Sequence, residues 1–395
     1  MDRPPFASVA LGLVAALASL IPIGYLLLRL FEGFEAAMGE LLRIRTLELL
    51  INTVGLTLSV SLTALAIGSV QAWLTVRSNL PVAPLFAVLA TLPLAIPSYV
   101  LALGYLSVFP SFSGFWASWL TLSLATSPYV FLALSAALIS SNFAAEEVAR
   151  SLGKNRVQVF RSVTWPQVRP AALASVLLVA LYTLSEFGAI ALLRFDTFTR
   201  AIYNAYRGSF DRTSAAALAL VLVLLTLVVI YFERRYRGPR WLAAASPGRR
   251  RRVDLGKAKY LAVVALTIIG VAGAGVPIVS LVGWSLNQQG FDWLRLGELV
   301  LSSLLVAVAA GMIIGVFALA ISIWNLRYSS KLSGAVDLTA WAAHALPAVV
   351  VALALVFFGA NIVPGIYQTI WLLLLAYLIL FLPNALGLVG TPIAQ

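Results

Sequence analysis

Ala95-Ile96-Pro97-Ser98-Tyr99-Val100-Leu101-Ala102-Leu103 has a second copy in the chain, Ala345-Leu346-Pro347-Ala348-Val349-Val350-Val351-Ala352-Leu353, at an offset of 250 residues. At the same offset Arg77 falls on Arg327 without a gap and Asn52-Thr53 fall on Ser302-Ser303, while Trp73 lies one residue out of step with Trp324. Apolar sequence matches itself easily. A shared proline and a shared arginine closing an apolar run, both at one offset, are harder to obtain by chance. Internal self-similarity fixes architecture before any motif is considered, so the chain reads as two copies of one module.

The material of that module is membrane helix. Of 395 residues 61% are hydrophobic and 11% charged, against roughly 25% charged in soluble domains, and the mean hydropathy is +0.97. A helix needs about 20 apolar residues to cross a hydrocarbon core, and about ten such stretches are present. They run over 7–28, 46–76, 83–109, 116–140, 170–193 and 213–232, then 260–284, 298–324, 334–359 and 367–390. The predicted fold class is therefore all-α, a polytopic transmembrane helical bundle of two parallel repeats. Modules with an even number of spans enter the bilayer from the same side, which relates the halves by an axis along the membrane normal. The apolar run from Phe6 to Leu28 follows Met1-Asp2-Arg3 and continues well past Ala16-Leu17-Ala18, so it reads as an uncleaved first span rather than a signal peptide.

The net charge of +12 would suggest nucleic acid in a soluble protein, but its distribution points elsewhere. With the N-terminus cytoplasmic and each span changing sides, inner segments hold 19 of the 27 Lys and Arg. That is the positive-inside bias, and no basic stripe with interleaved aromatics marks a nucleic-acid surface. Ten of those basic residues lie in 233–259, which reads as a cytoplasmic linker between a first module, 1–232, and a second, 260–395. The absence of Cys removes disulfides and thiolate metal sites, and a single His argues against a protein metal cage in the membrane.

The inner loop after the fourth span, 141–169, is predicted to form two short helices with a bend. Glu146 can pair with Arg150 at i,i+4, and Val148 and Leu152 share a face. Gly153 sits where a helix C-terminus needs a residue tolerant of the left-handed region, Asn155 can cap a second helix carrying Val157, Phe160 and Val163, and Pro166 marks its stop. Such an amphipathic pair needs either headgroups or a groove on another protein to bury its apolar face.

Glu147-Val148-Ala149, then Gly153 six residues after Glu147, then Val163-Thr164-Trp165-Pro166, resembles the EAA loop of ABC importer permeases: Glu-Ala-Ala, three residues, Gly, nine residues, Ile-x-Leu-Pro. The spacing matches throughout, and the departures at Val148, Val163 and Trp165 keep apolar character. Residues 185–221 and 92–106 resemble the fused iron(III)-type permeases in particular, and the resemblance spans 7–390. It implies a multi-pass protein of the bacterial inner membrane that works with a cytoplasmic ATPase dimer, which uses ATP and Mg, and with an extracytoplasmic substrate-binding protein. It also implies that this loop, through Glu146, Glu147, Val148, Ala149, Arg150, Leu152, Gly153, Val163 and Pro166, is the coupling helix docking on the ATPase. The same plan carries thiamine or aminophosphonates in relatives, so architecture leaves the cargo open.

By the offset, a second coupling loop would begin beyond Gln395, so the chain reads as a fragment lacking that loop and the last spans, with a natural one-loop permease as the alternative. Glu186, near the outer end of the fifth span, is an intramembrane acid and hence a functional candidate. Pro97 and Pro347 can kink their spans and free carbonyls toward a pathway, with Ser98 and Tyr99 lining its first half. No Walker-type phosphate loop and no nucleophile–base constellation is present, so the chain is expected to be no enzyme, to bind no cofactor and no metal, and to leave ATP hydrolysis to a partner. An ion-gradient-driven secondary transporter is the rival from another class.

Overall fold

The computed structural model describes residues 4–208, 211–236, 252–287, 292–328, 330–344 and 346–393. In chain order the first half gives α1 (Phe6–Glu32), α2 (Phe34–Leu41), α3 (Ile44–Arg77), α4 (Ala83–Thr91), α5 (Ser98–Val108), α6 (Gly114–Ser140), α7 (Phe143–Ser151), α8 (Arg156–Val159), α9 (Trp165–Ser185), α10 (Gly188–Leu192), α11 (Phe198–Arg207) and α12 (Arg212–Tyr236). The second gives α13 (Ala258–Gly270), α14 (Val276–Leu286), α15 (Trp293–Arg327), α16 (Lys331–His344), α17 (Ala348–Asn361) and α18 (Ile370–Ile393). Most of the predicted linker, 237–251, lies outside the described residues.

Among the described residues eight helices are long and apolar enough to cross a membrane, and two further bent pairs bring the number to ten if each is one span. Those pairs are the third and ninth predicted spans, and they correct the expectation of kinked continuous helices. α4 and its following turn meet α5 at 98°, and α16 meets α17 at 108°. A residue before proline is pushed out of the helical region, and Ile96 is extended at φ −107°, ψ 120°. Pro97 (φ −55°, ψ 138°) and Pro347 (φ −59°, ψ 145°) then stand just ahead of a new helix rather than inside an old one. The repeated proline is therefore a break placed at the same point of both modules.

The chain forms two compact units that interleave in sequence: Met1–Leu47, Ala201–Thr226 and Gly290–Gln395 in one, Glu48–Arg200 and Leu227–Gln289 in the other. In the first unit α1 packs on α15, α16 and α17, around a core that includes Ala15, Ile321, Trp324 and Leu382. The approach is close: a Cβ on Gly12 would come within 2.6 Å of the Trp324 ring. In the second unit α13 and α14 pack on α4 and α5, beside a core of Leu56, Val60, Leu122, Val130 and Val179. Gly104 there abuts Pro277, whose Cα would lie 2.6 Å from an added Cβ. Small residues let membrane helices approach this closely where no hydrophobic drive from water exists. Each unit thus takes its first span from the other sequence module.

Candidate functional site

The loop after α6 folds from strong local signals. Asn142 caps α7, its side chain accepting from the Ala145 N–H at 3.1 Å, and its own N–H donates to Gln167 Oε1 at 2.7 Å. α7 ends in a Schellman arrangement: Lys154 N–H donates to the Ala149 carbonyl and Gly153 N–H to that of Arg150. Gly153 supplies the required positive φ, +83°, in open space, so the constraint is on backbone conformation and not on room. Asn155 then forms a reciprocal capping box with Gln158, both bonds at 2.9 Å.

The second helix does not stop at Pro166. α8 continues through a π-helical turn, Phe160–Thr164, directly into α9, so that 156–185 is one span-length helix. Pro166 removes one donor from the ladder, and the wider turn, closed by the Trp165 N–H on the Phe160 carbonyl, carries the chain past it. Val163 sits half-buried in that turn and Pro166 is the second residue of α9. One end of the bent loop is therefore rigidly continuous with the fifth span.

The two faces of α7 differ. Glu147, Val148, Arg150 and Leu152 are exposed, Val148 and Leu152 by 58% and 76%, while Glu146 and Ala149 are buried. Glu146 does not pair with Arg150. It takes the guanidinium of Arg77 at the end of α3 in a fork, Nη2 to Oε1 at 2.9 Å and Nη1 to Oε2 at 3.2 Å. Thr164 donates to the same carboxylate at 2.8 Å, and Arg77 Nη2 also donates to Ser141 Oγ at 2.6 Å. The Phe143 ring lies 4.0 Å from the guanidinium carbon. A buried bidentate pair that also bonds two hydroxyls overrides an i,i+4 pair worth a few tenths of a kcal/mol in water. Arg77, Ser141 and Thr164 are functional candidates that reading the loop alone misses; the signal for Arg77 was its place in the repeat.

Arg77 is held from a second direction. Val253 N–H donates to the Arg77 carbonyl at 2.7 Å and Asn79 N–H to the Val253 carbonyl at 3.0 Å, a single parallel bridge between the linker's end and the turn after α3. The Asn79 amide donates to Asp254 at 2.7 Å, and Gly256 N–H donates to the same carboxylate oxygen at 3.0 Å. The Gly256 N–H first and the Asn79 amide second hold the exposed Asp254 carboxyl below the usual aspartate range.

The structure brings four of the five pathway candidates, Pro97, Ser98, Tyr99 and Glu186, to one place in the second unit. Ser98, the buried first residue of α5, donates to Glu186 Oε2 at 2.8 Å. Glu186 lies at the C-cap of α9 and not within it, and its Oε1 accepts from the Ala189 N–H at 2.9 Å, so it caps the short α10. Tyr99, half-exposed, packs beside Gly188. Pro97 opens the same helix, so the break and the acid are one feature. Pro347 belongs to the other unit, at the start of α17.

Comparison with known proteins identifies the family. Residues 64–237 match the model of the family described as binding-protein-dependent transport system inner membrane component. The chain is 32% identical over 394 residues to the Fe(3+)-transport system permease protein FbpB 2 of Haemophilus influenzae, covering 97% of this chain and 78% of that protein. It is 30% identical over 246 residues to the sulfate transport system permease protein CysW of Escherichia coli, covering 54% and 82%. With the molybdate/tungstate transport system permease protein WtpB of Thermococcus kodakarensis it shares 23% identity, over 58% of this chain and 93% of the relative. A match along nearly the whole chain, on a bundle of membrane-length helices, decides the matter: this chain belongs to the family of binding-protein-dependent transport system inner membrane components and is a multi-pass permease of the inner membrane.

Proposed function

We propose that the chain is the permease subunit of an ATP-driven importer for iron(III), working with a cytoplasmic ATPase dimer and a substrate-binding protein on the opposite side. The observation that carries this reading is the two-faced α7. Its outward face offers Glu147, Val148 and Leu152 to a partner, while its inward face is locked by Glu146 to Arg77 at the end of α3. A push on the outer face reaches α3 through the ion pair and α9 through the unbroken α8–α9 helix. The loop lies on the cytoplasmic side, as does the N-terminus, because the inner segments so assigned carry most of the Lys and Arg. ATP and Mg belong to the partner, and this chain itself binds no cofactor and no metal and catalyses no reaction. Iron(III) as cargo rests on the full-length likeness to a permease named for Fe(3+) transport. Ser98, Tyr99 and Glu186, at the break before α5, are the cation-attracting part of the pathway.

The test is iron(III) uptake in cells carrying this chain with its partners. ATP-driven import predicts uptake abolished by a substitution in the partner's ATP site and retained when an uncoupler collapses the ion gradient at constant ATP. The reverse pattern, loss with uncoupler and indifference to the ATPase variant, would establish the secondary-transporter reading instead. Competition by sulfate and not by iron(III) would move the cargo to the oxyanion relatives.

A further inference from the structure

A cleft of about 620 Å³ opens on the inner side of the coupling loop, within the range of roughly 300–1,000 Å³ typical of small-molecule sites. Its walls come from membrane helices: Val70 and Trp73 of α3, Leu138 of α6, and Trp165 and Val168 of α9. Phe160 of the π turn closes one side, its ring 5.8 Å from that of Trp73 and 6.3 Å from that of Trp165. The lining is chiefly apolar, with four charged side chains around it. Arg77 and Glu146 neutralise each other in their buried pair. Arg150 and Arg156 are exposed, and neither has an ion-pair partner among the described residues. The result is an apolar slot at the ends of three spans, with tryptophans at its sides and two uncompensated positive charges at its mouth.

We propose that this cleft binds the headgroup region of one anionic phospholipid, its phosphate against Arg150 and Arg156 and the start of an acyl chain along Trp73, Phe160 and Trp165. The charge arrangement selects the ligand. Paired cations beside a water-facing apolar slot fit an amphiphile with a negative head, and tryptophans at helix ends mark the depth at which headgroups lie. The surface proposed above for the partner ATPase is a different one, since Val148 and Leu152 line no part of the cleft. Because Arg150 and Arg156 flank the bend at Gly153, a lipid held there braces that bend. The inference rests on the membrane placement of α3, α6 and α9 and not on the identity of the cargo.

The experiment is lipid retention by the purified full chain, followed by native mass spectrometry after delipidation and re-addition of dioleoylphosphatidylglycerol, with dioleoylphosphatidylcholine and inorganic phosphate as controls. One phosphatidylglycerol is retained selectively, and Arg150→Gln and Arg156→Gln each weaken retention about fivefold, on the basis of roughly 1 kcal/mol per basic residue near an anionic surface. A second readout uses the folded wild type: in bilayers, phosphatidylglycerol brominated near the headgroup quenches tryptophan fluorescence more than brominated phosphatidylcholine, and Trp165→Phe reduces that difference. Equal retention of both lipids, or unchanged retention in the arginine variants, overturns the proposal. So does binding of inorganic phosphate as strong as that of the lipid, or displacement of quenching by the ATPase subunit, which would make the cleft a protein-docking surface.

Discussion

Arg77 and Arg327 occupy the same position in the two modules, at the ends of α3 and α15, yet their surroundings differ. Arg77 is buried, 4% exposed, forked onto Glu146, bonded to Ser141 and covered by Phe143. Arg327 is exposed. The neighbouring tryptophans differ in the opposite sense: Trp324 is fully buried against α1 at Gly12, whereas Trp73 stands half-buried at the edge of the cleft. The repeat therefore fixes where these residues stand but not what they do. Loop 141–169 turns an arginine closing a span into a latch, and the open space beside it leaves Trp73 at a surface.

The largest expected effect breaks this contrast directly. Arg77→Leu leaves the Glu146 carboxylate buried without its cation and destabilises loop docking by about 3–5 kcal/mol, while Arg327→Leu at an exposed site stays within about 0.5 kcal/mol. Limited proteolysis of 141–164 in the two variants measures it, and equal protection in both would erase the distinction. Next, Gly153→Val forces a β-branched residue to φ +83°, at a cost of about 1–2 kcal/mol or more, and moves the outer face of α7 relative to α9. Substrate-dependent ATP hydrolysis persists while uptake falls; normal uptake contradicts the bend's role. Asn155→Ala removes the capping box and costs about 1 kcal/mol, read as faster hydrogen exchange over 156–160 without change in the rest of α9. The smallest effect concerns the linker bridge. Asp254 has a folded pKa below its unfolded one, so its contribution is complete above the ordinary aspartate range and is lost as pH falls through the lowered value. Exchange of the Gly256 amide should therefore be unchanged from neutral pH down to mild acid, after intrinsic correction, and rise only below it. Asp254→Asn should remove that pH dependence.

Much of this was legible in the sequence, for identifiable reasons. Hydropathy located the spans because a bilayer leaves a long apolar signature, and the bend at Gly153 and cap at Asn155 were readable because both act within four residues. The Arg77–Glu146 pair was not, since its partners lie 69 residues apart and a local i,i+4 alternative, Arg150, was at hand. The breaks at Pro97 and Pro347 read as kinks because proline alone does not say whether its helix continues. Pro166 misled in the opposite way, as a π turn carried the helix through it. The exchange of first spans between the modules left no trace in α1 or α14, which are apolar along nearly their whole length. Glu186 was found as an acid in an apolar run, but its role as a cap on α10 bonded to Ser98 needed the fold.

In the proposed coupling, α7 meets the ATPase with one face and the spans with the other. The chain contains no native cysteine, so single cysteines can be placed along it without background. Oxidative cross-linking of the assembled importer, with one cysteine in the ATPase groove, should join Val148→Cys and Leu152→Cys to the ATPase in a nucleotide-dependent manner and leave Ala149→Cys uncoupled from it. Cross-links from Ala149→Cys, or none from Val148→Cys and Leu152→Cys, would contradict the account.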